Sequence, residues 1–287
     1  KGTASVAIKV NNVAPTIAPG GITATPNPVN EGSSTSIAVN ATDPGGANDP
    51  LSFSFDCNGD GDFTDAGDVA NQSTNTHTCT FADDSLHAVN VSVADGDGGV
   101  TPGIINVTVN NVAPSGNVSA SPTTVNEGGS VSIIASFTDP GGANDPLTYS
   151  FDCNDDNTFE TVQSGSSTTC TFLDNSVHKV NVSVADDDGG VSLPRFVNVN
   201  VNNVAPVVTS VTATPDVHPV SGDSTITVNA TDVAADLPLT YFFNCDGDDV
   251  YEIGPQKGGN TAVCSFSATP TGPNTVKVKV QDKDGGE

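Results

Sequence analysis

Oxygen-bearing side chains alternate along the chain just after the first buried-strand pattern, in an arrangement suited to binding a hard cation. Asp56, Asn58, Asp60 and Asp62 stand two residues apart, beside Cys57 and with glycines among them. Calcium prefers carboxylate and amide oxygens, and glycine allows the sharp turn that wraps such oxygens around an ion. This stretch therefore predicts a calcium loop.

The same arrangement occurs twice more, after Cys153 and around Cys245. The equivalent candidate ligands are Asp152, Asn154, Asp156 and Glu160 in the second copy, and Asn244, Asp246, Asp248 and Glu252 in the third. The pattern matches the first half of an EF-hand-type or dockerin-type loop but has no bidentate Glu at the twelfth position. The alternative is an acidic hairpin in which Asp, Asn and Gly only form the turn.

A second acidic set lies near the ends of the repeated segments. Its members are Asp95 and Asp97, Asp186 and Asp188, and Asp282 and Asp284, accompanied by Glu31, Glu127 and Asp43 or Asp139. Calcium held by this set would stiffen the joints between repeats. The turn preference of Asp-Gly-Gly explains the same residues equally well.

The cysteines fall into three pairs, each inside one repeat: Cys57 with Cys79, Cys153 with Cys170, and Cys245 with Cys264. We predict three local disulfides, each contributing about 3 kcal/mol for loops of this length. Free thiols and a zinc site are the alternatives, but zinc would require closely spaced Cys and His sets that the chain lacks. Disulfides indicate an oxidising compartment.

Catalytic motifs are not found, so we predict that the chain is not an enzyme. It contains no Gly-x-Ser-x-Gly elbow, no His-Glu-x-x-His pair and no phosphate-binding glycine loop. His87 and His178 occupy matching positions, but the third repeat has Asn274 there. A histidine needed for chemistry would not be replaced between copies, and a place at the edge of a sheet suits it better.

Composition restricts the partners. The formal net charge of -26 disfavours nucleic acid and anionic membranes and makes divalent cations the natural counterions. No apolar run is long enough to span a membrane, so we predict no membrane insertion within this chain. Asn-x-Ser/Thr sequons make glycans a possible addition; they begin at Asn40, Asn71, Asn90, Asn106, Asn117, Asn181 and Asn229.

Self-similarity and short alternating segments predict the elements that position these residues. The block Asn-Asn-Val-Ala-Pro begins at Asn11, Asn110 and Asn202, and Thr42 to Leu51 is identical to Thr138 to Leu147. Six or seven strands in about 95 residues indicate an antiparallel immunoglobulin-like sandwich, with a small barrel as the alternative. In the first full repeat we predict strands at 22–25, 34–41, 51–57, 76–81, 88–94 and 104–110.

The fold class is therefore all-β, with tandem Ig-like sandwiches in an extended array and one disulfide in each. We place the final strand of a preceding repeat and a linker at 1–14, and the three repeats at 15–113, 114–205 and 206–287, the last without its closing strand. Few strong helix formers are present, so almost no helix is expected.

The ordered motifs Asn-Glu-Gly, Thr-Asp-Pro-Gly-Gly, Tyr/Phe-Ser-Phe-Asp and Val-x-Val-x-Asp-x-Asp-Gly-Gly, closed by Val-Asn-Asn-Val-Ala-Pro, resemble tandem polycystic kidney disease (PKD) repeats over essentially the whole chain. The resemblance implies an extracellular Ig-like sandwich of surface arrays, adhesins or accessory regions of secreted enzymes. The chain has Phe-Asp-Cys-Asn where the family usually has Trp-Asp-Phe-Gly-Asp-Gly, so a disulfide stands in for the aromatic core residue.

The two ends complement each other. The segment at 3–13 has the sequence of a closing strand, with Val6, Ile8 and Val10 alternating, whereas the third repeat stops before its own. We predict that residues 1–13 donate a strand to the last sandwich of the preceding copy, either between separate subunits or within one longer covalent chain. An arbitrary fragment is the third possibility.

Together these features predict an extracellular structural or adhesive protein that forms a filament, stalk or surface array from copies of itself. The alternative is a spacer or carbohydrate-binding accessory region of a large secreted enzyme. Without Trp and with only three Tyr, the chain has few of the exposed aromatics that binding sites use, which favours a scaffold.

Overall fold

A computed structural model describes residues 2–218, 221–267 and 272–287 of the chain. Within those residues the chain is built from β-strands, and the helical segments are two 3-10 turns at Gly46–Asn48 and Ala234–Asp236. The prediction of an all-β protein made of Ig-like sandwiches with one disulfide each is confirmed.

The first repeat folds into two facing sheets. Its strands are β1 (Thr16–Thr25), β2 (Val29–Asn30), β3 (Ser34–Thr42), β4 (Ser52–Asp56), β5 (Val69–Gln72), β6 (Thr76–Thr80), β7 (Ser85–Ala94) and β8 (Val100–Asn110). One sheet has the order β1-β3-β6 and the other β2-β8-β7-β4-β5. The strand β2 pairs parallel to β8, whereas the other pairings are antiparallel.

Period-two alternation explains why these segments form strands around one core. In β7, Val89, Val91 and Val93 are buried while the residues between them are half-buried. Branched side chains fit this pleated, half-covered surface. They pack with Phe53 and Phe55 of the adjacent strand β4.

The second repeat contains β9 (Ser115–Ser121), β10 (Thr124–Asn126), β11 (Ser130–Thr138), β12 (Thr148–Asp152), β13 (Thr161–Gln163), β14 (Ser167–Thr171), β15 (Ser176–Ala185) and β16 (Arg195–Asn202). Its sheets have the orders β14-β11-β9 and β10-β16-β15-β12-β13, the same arrangement as in the first repeat.

The third repeat contains β17 (Val207–Thr214), β18 (Gly222–Thr231), β19 (Thr240–Asn244), β20 (Ile253–Lys257), β21 (Thr261–Phe266) and β22 (Lys277–Gln281). Its sheets have the orders β17-β18-β21 and β20-β19-β22. Among the described strands, β22 pairs with β19 and forms one edge of its sheet, whereas the equivalent strands β7 and β15 pair on both sides.

The chain divides into two compact units. The first comprises Lys1–Gly116, Phe137–Thr148 and Ser183–Leu193, and the second comprises Asn117–Ser136, Tyr149–Val182 and Pro194–Glu287. The first unit thus holds the whole first sandwich together with two loop segments of the second repeat. The domain boundaries predicted from the sequence stay a prediction.

Candidate functional site

The loop after Cys57 is held by the carboxylate of Asp56. This side chain is fully buried, and its oxygens accept the backbone N–H groups of Gly59 (2.6 Å) and Gly61 (2.8 Å) and the amide of Asn90 (2.9 Å). Gly59 has φ +74, and a Cβ there would lie 2.4 Å from the main-chain oxygen of Ala88. The glycine is therefore required by the turn itself.

The remaining predicted ligands form consecutive turns. Asn58, Asp60 and Asp62 each accept the backbone N–H two residues ahead, at 3.1, 2.8 and 2.9 Å. The second and third repeats repeat the arrangement with Asp152, Asn154, Asp156, Asn244, Asp246 and Asp248. Glu160 and Glu252 accept the N–H of Cys153 and Cys245. The structure thus gives these oxygens donors from the protein, and calcium in the loops stays a prediction.

The asparagines of two sequons hydrogen-bond to the buried aspartates that hold these loops. Asn90 donates to Asp56, and Asn181 donates to Asp152 (3.1 Å) and Asp155 (2.6 Å). Both residues are half-buried, and their side-chain amide nitrogens are hydrogen-bonded within the protein. Glycans on the chain remain a prediction.

All three predicted disulfides are present. Cys57 bonds to Cys79 and joins the end of β4 to β6, so the bond links the two sheets of the first sandwich. The other pairs are Cys153 with Cys170 and Cys245 with Cys264, and the described residues contain no free cysteine.

Each Asn-Asn-Val-Ala-Pro linker is fastened to the Asp-x-Asp-Gly-Gly turn of the repeat that follows it. In the second repeat, Asn111 donates to Asp186 (3.3 Å), which also accepts the N–H of Gly190 (2.6 Å). A Cβ on Gly190 would lie 2.9 Å from the Cα of Ala113. The same contacts join Asn12 to Asp95 and Asn203 to Asp282.

Carboxylates gather where the first and second repeats meet, with Glu31 and Asp145 buried and the others half-buried or exposed. Three overlapping groups, each with carboxylate oxygens within 4.8 Å of one another, contain Glu31, Asp139 and Asp145, then Asp83, Asp84 and Asp188, and then Asp145, Asp187 and Asp188. We call this set the first-junction cluster. All of its members lie in the first compact unit.

The centre of this cluster lacks hydrogen-bond donors. Asp145 is 1% exposed and Glu31 is 2% exposed. Glu31 accepts the N–H of Val112 (2.6 Å) with one oxygen, and Asp139 accepts that of Gly141 (2.9 Å). The second oxygen of each, and both oxygens of Asp145, have no partner in the described part of the chain.

The electrostatics follow from burial and like charge. Burial, followed by the neighbouring carboxylates of Glu31 and Asp139, raises the pKa of Asp145 to about 8. Burial likewise raises the pKa of Glu31 and, with Asp84 and Asp187 nearby, that of Asp188. Burial and mutual repulsion therefore make the ionised form of these carboxyl groups unfavourable in the absence of a cation, and a bound cation would offset both effects.

The second junction has the same framework but contains its own cation. Glu127 accepts the N–H of Val204 (2.6 Å), as Glu31 accepts that of Val112. Here the ammonium of Lys283 lies 2.5 Å from Asp174, 2.7 Å from the fully buried Asp236 and 2.8 Å from Asp284. Those hydrogen bonds raise the pKa of Lys283 above its usual range.

Sequence reasoning found only part of these two clusters. It named Glu31, Glu127, Asp139, Asp188 and Asp284 as joint residues. It missed the other contributors: Asp83, Asp84, Asp145, Asp174, Asp187, Asp236 and Lys283. The signal for Asp145 was its place in the ten-residue block shared by the first two repeats.

The first repeat presents a third acidic group on the side of residues 12–15. It contains Asp43, Asp49 and Asp95, the counterparts of Asp139, Asp145 and Asp186. Burial raises the pKa of Asp49, which accepts the N–H of Gly96 (3.1 Å). This group contains no counterpart of Glu31.

The predicted strand-donor residues carry no secondary structure here. Val6, Ile8 and Val10 are 85%, 83% and 88% exposed. At the other end of the chain, Val276 and Val278 are half-buried, although their counterparts in the first two repeats are fully buried. Among the described strands, only β19 pairs with β22.

The sandwiches and their disulfides define a protein of tandem Ig-like domains. Residues 116–199, which lie within the second repeat, match the family model described as PKD domain. The match confirms the resemblance to PKD repeats that the motifs predict. No match was found among curated proteins. No helix in the described ranges has the length and apolar character needed to cross a bilayer.

Several solved structures are similar to the chain at low sequence identity. The fibronectin(III)-like modules of Clostridium thermocellum CbhA are 18% identical, with 63% of this chain and 94% of that chain covered and a TM-score of 0.29. The three N-terminal domains of the bacteriophage RB49 outer capsid protein Hoc are 13% identical, with 93% of this chain and 86% of that chain covered and a TM-score of 0.29. The chicken CNTN1 FN1–FN3 domains are 10% identical over 90% and 86%, with a TM-score of 0.31.

Proposed function

We propose that the chain is a structural repeat of an extracellular filament or surface array, in which residues 3–13 of one copy complete the third sandwich of the preceding copy. PKD and Ig-like domains are typically non-catalytic, and together with the disulfides they support an extracellular structural role. The observation that carries the assembly is the open edge at β22 combined with the exposed apolar segment at 3–13.

An alignment of the sequence supports one register for the donated strand. Aligned on the Asn-Asn-Val-Ala-Pro block, Val10 takes the place of Val109 and Ile8 that of Val107. Val107 and Val109 are 0% and 4% exposed in the first sandwich. A donated strand would bury Val6, Ile8 and Val10 and cover Val276 and Val278, while pairing the free backbone groups of β22.

The test compares the full chain with a variant carrying Val6→Ser, Ile8→Ser and Val10→Ser. By sedimentation and electron microscopy, we expect the native chain to form fibres and the variant to stay monomeric. The variant keeps its β22 edge, so it should bind a labelled peptide of residues 2–13 but not a peptide with the same three serines. Fibres from the triple variant would contradict strand donation.

The mass of native material in denaturant with reductant then distinguishes the two forms of the array. A species near 28.8 kDa would indicate separate subunits, and a species many times larger would indicate one covalent chain. Short particles without fibres would favour a spacer within another protein.

A further inference from the structure

The first-junction cluster concentrates negative charge in a place that the described protein leaves without donors. Removing a carboxylate from water without pairing it is costly, and several carboxylates within 4.8 Å repel one another. Asp145 has two unpartnered oxygens at 1% exposure, and one oxygen each of Glu31 and Asp139 is in the same condition. These oxygens converge on each other, so a single cation could satisfy all of them.

The second junction provides an internal comparison. Aligned on the Asp-x-Asp-Gly-Gly turn, Lys283 occupies the position of Asp187. Aligned on the Phe-x-Asp segment that begins at Phe81 and Phe172, Asn175 occupies the position of Asp84. At the second junction an ammonium contacts the counterparts of Asp83, Asp145 and Asp188, namely Asp174, Asp236 and Asp284. The second junction thus holds a lysine ammonium, whereas the first junction holds two additional acidic residues, Asp84 and Asp187.

We propose that the first-junction cluster binds a divalent cation, calcium by preference, in the place that the Lys283 ammonium takes at the second junction. Glu31, Asp139 and Asp145 are the central ligands, with Asp83, Asp84, Asp187 and Asp188 at the outer side. The groups consist of carboxylates, whereas zinc prefers His and Cys. Calcium accepts six to eight oxygens in flexible geometry, which suits a crowded set better than the strict octahedron of magnesium.

In this proposal the first junction requires a bound ion and the second does not. Glu31 belongs to the first repeat, and Asp139, Asp145 and Asp188 belong to the second, so the ion would fasten these repeats only when it is present. Lys283 fastens the second joint without any ion. This inference concerns a site other than the β22 edge and does not depend on the proposed assembly.

Calorimetric titration with calcium chloride on the full, chelator-treated chain tests the site. Three variants are compared with the native chain: Asp187→Lys, which copies the second junction; Asp145→Asn, which removes a central charge while keeping the shape; and Lys283→Asp, which copies the first junction. Asp187 is exposed, so the chain should accept lysine there without refolding.

We expect Asp187→Lys and Asp145→Asn each to weaken calcium binding at least 100-fold at this site, and Lys283→Asp to add a site. Calcium should raise the melting temperature of the native chain but not that of Asp187→Lys, and magnesium should bind at least tenfold more weakly. Asp216→Lys makes the same change in net charge in the third repeat and should leave calcium binding unchanged.

The variant Asp60→Asn shows how much of the calorimetric heat comes from calcium binding in the loop after Cys57, since Asp60 lies outside the cluster. Undiminished binding in both Asp187→Lys and Asp145→Asn would overturn the proposal, as would no binding by the native chain. Loss of binding in Asp60→Asn alone would place the calcium in the loops and would equally overturn it.

Discussion

A glycine at the end of each Asp-x-Asp-Gly-Gly turn sets how closely the linker approaches the sandwich. Because Gly190 has no side chain, the backbone of Ala113 can come near it. The N–H of Gly190 donates to Asp186. A side chain at this position would meet Asp186 and the backbone of Ala113 together, and the backbone cannot move aside as the tip of a flexible side chain can.

Gly190→Ala should therefore destabilise the chain by about 1–3 kcal/mol, the usual cost of forcing extra atoms into a packed site. A Cβ at Gly190 would lie 2.2 Å from the Asp186 carboxylate. Gly165→Ala is the control, because its nearest neighbour is the end of the flexible Gln163 side chain, at 3.3 Å. Urea unfolding followed by circular dichroism measures both, and equal midpoints would contradict the close approach of the linker.

Lys283 should matter more than any other lysine of the third repeat. Lys283→Met leaves Asp174, Asp236 and Asp284 without their shared counter-charge, and Asp236 is fully buried. Lys277→Met is the matched control, because Lys277 pairs with Asp249, whose side chain is 84% exposed. We expect a clear fall in the melting temperature for the first variant and almost none for the second.

The difference in stability between the native chain and Lys283→Met should depend on pH in a defined direction. Because the pKa of Lys283 is raised in the folded chain, its stabilising contribution is complete below the ordinary lysine pKa and is lost only as the pH rises through the higher folded value. The difference between the native chain and Lys283→Met should thus stay constant from about pH 6 to 9. A loss of that difference within this range would contradict the ion cluster.

At the scale of the elements, the sequence predicted features that depend on residues close together in the chain. The alternation of Val89, Val91 and Val93 identified β7, and the spacing of the cysteines identified the disulfides. The strands β2 and β5 were missed because β2 has two residues and β5, Val69–Gln72, does not alternate. The strand β1 begins earlier than predicted because a bulge between Ile17 and Ile22 lets it continue through two glycines.

The clusters were harder to predict because they depend on how repeats meet. Glu31 and Asp145 are far apart in sequence, and no periodicity of a strand relates them. The position of Lys283 holds Gly96 in the first repeat and Asp187 in the second. The lysine gains meaning only when its three carboxylate partners are known. The loop residues were easier to find because their contacts are within a few positions.

Removal of one disulfide should test how the two sheets are held. Replacing Cys153 and Cys170 together by Ala should lower the free energy of unfolding by about 3 kcal/mol, because the closed loop no longer restricts the unfolded chain. Cys170 is 1% exposed, so the small side chains should also leave a minor packing defect. Differential scanning calorimetry measures the loss, and Ser164→Ala in the loop between the cysteines is the control.

At the scale of the whole molecule, net charge opposes assembly. Each copy carries a formal charge of -26, and copies that exchange strands must approach closely. Repulsion between them extends about 30 Å in 0.01 M salt and about 8 Å in 0.15 M salt. Ionic strength should therefore control how quickly the copies meet more than how tightly a seated strand is held.

The rate of fibre formation, followed by light scattering, should rise on the order of tenfold or more between these salt concentrations. The dissociation rate of preformed fibres should change far less, since Val6, Ile8 and Val10 would be held by apolar packing and backbone hydrogen bonds. The triple serine variant separates assembly from precipitation, because it has the same formal charge but no apolar strand to donate. Equal scattering from this variant would mean that salt only lowers solubility, whereas a rate independent of salt in the native chain would mean that charge does not limit the encounter.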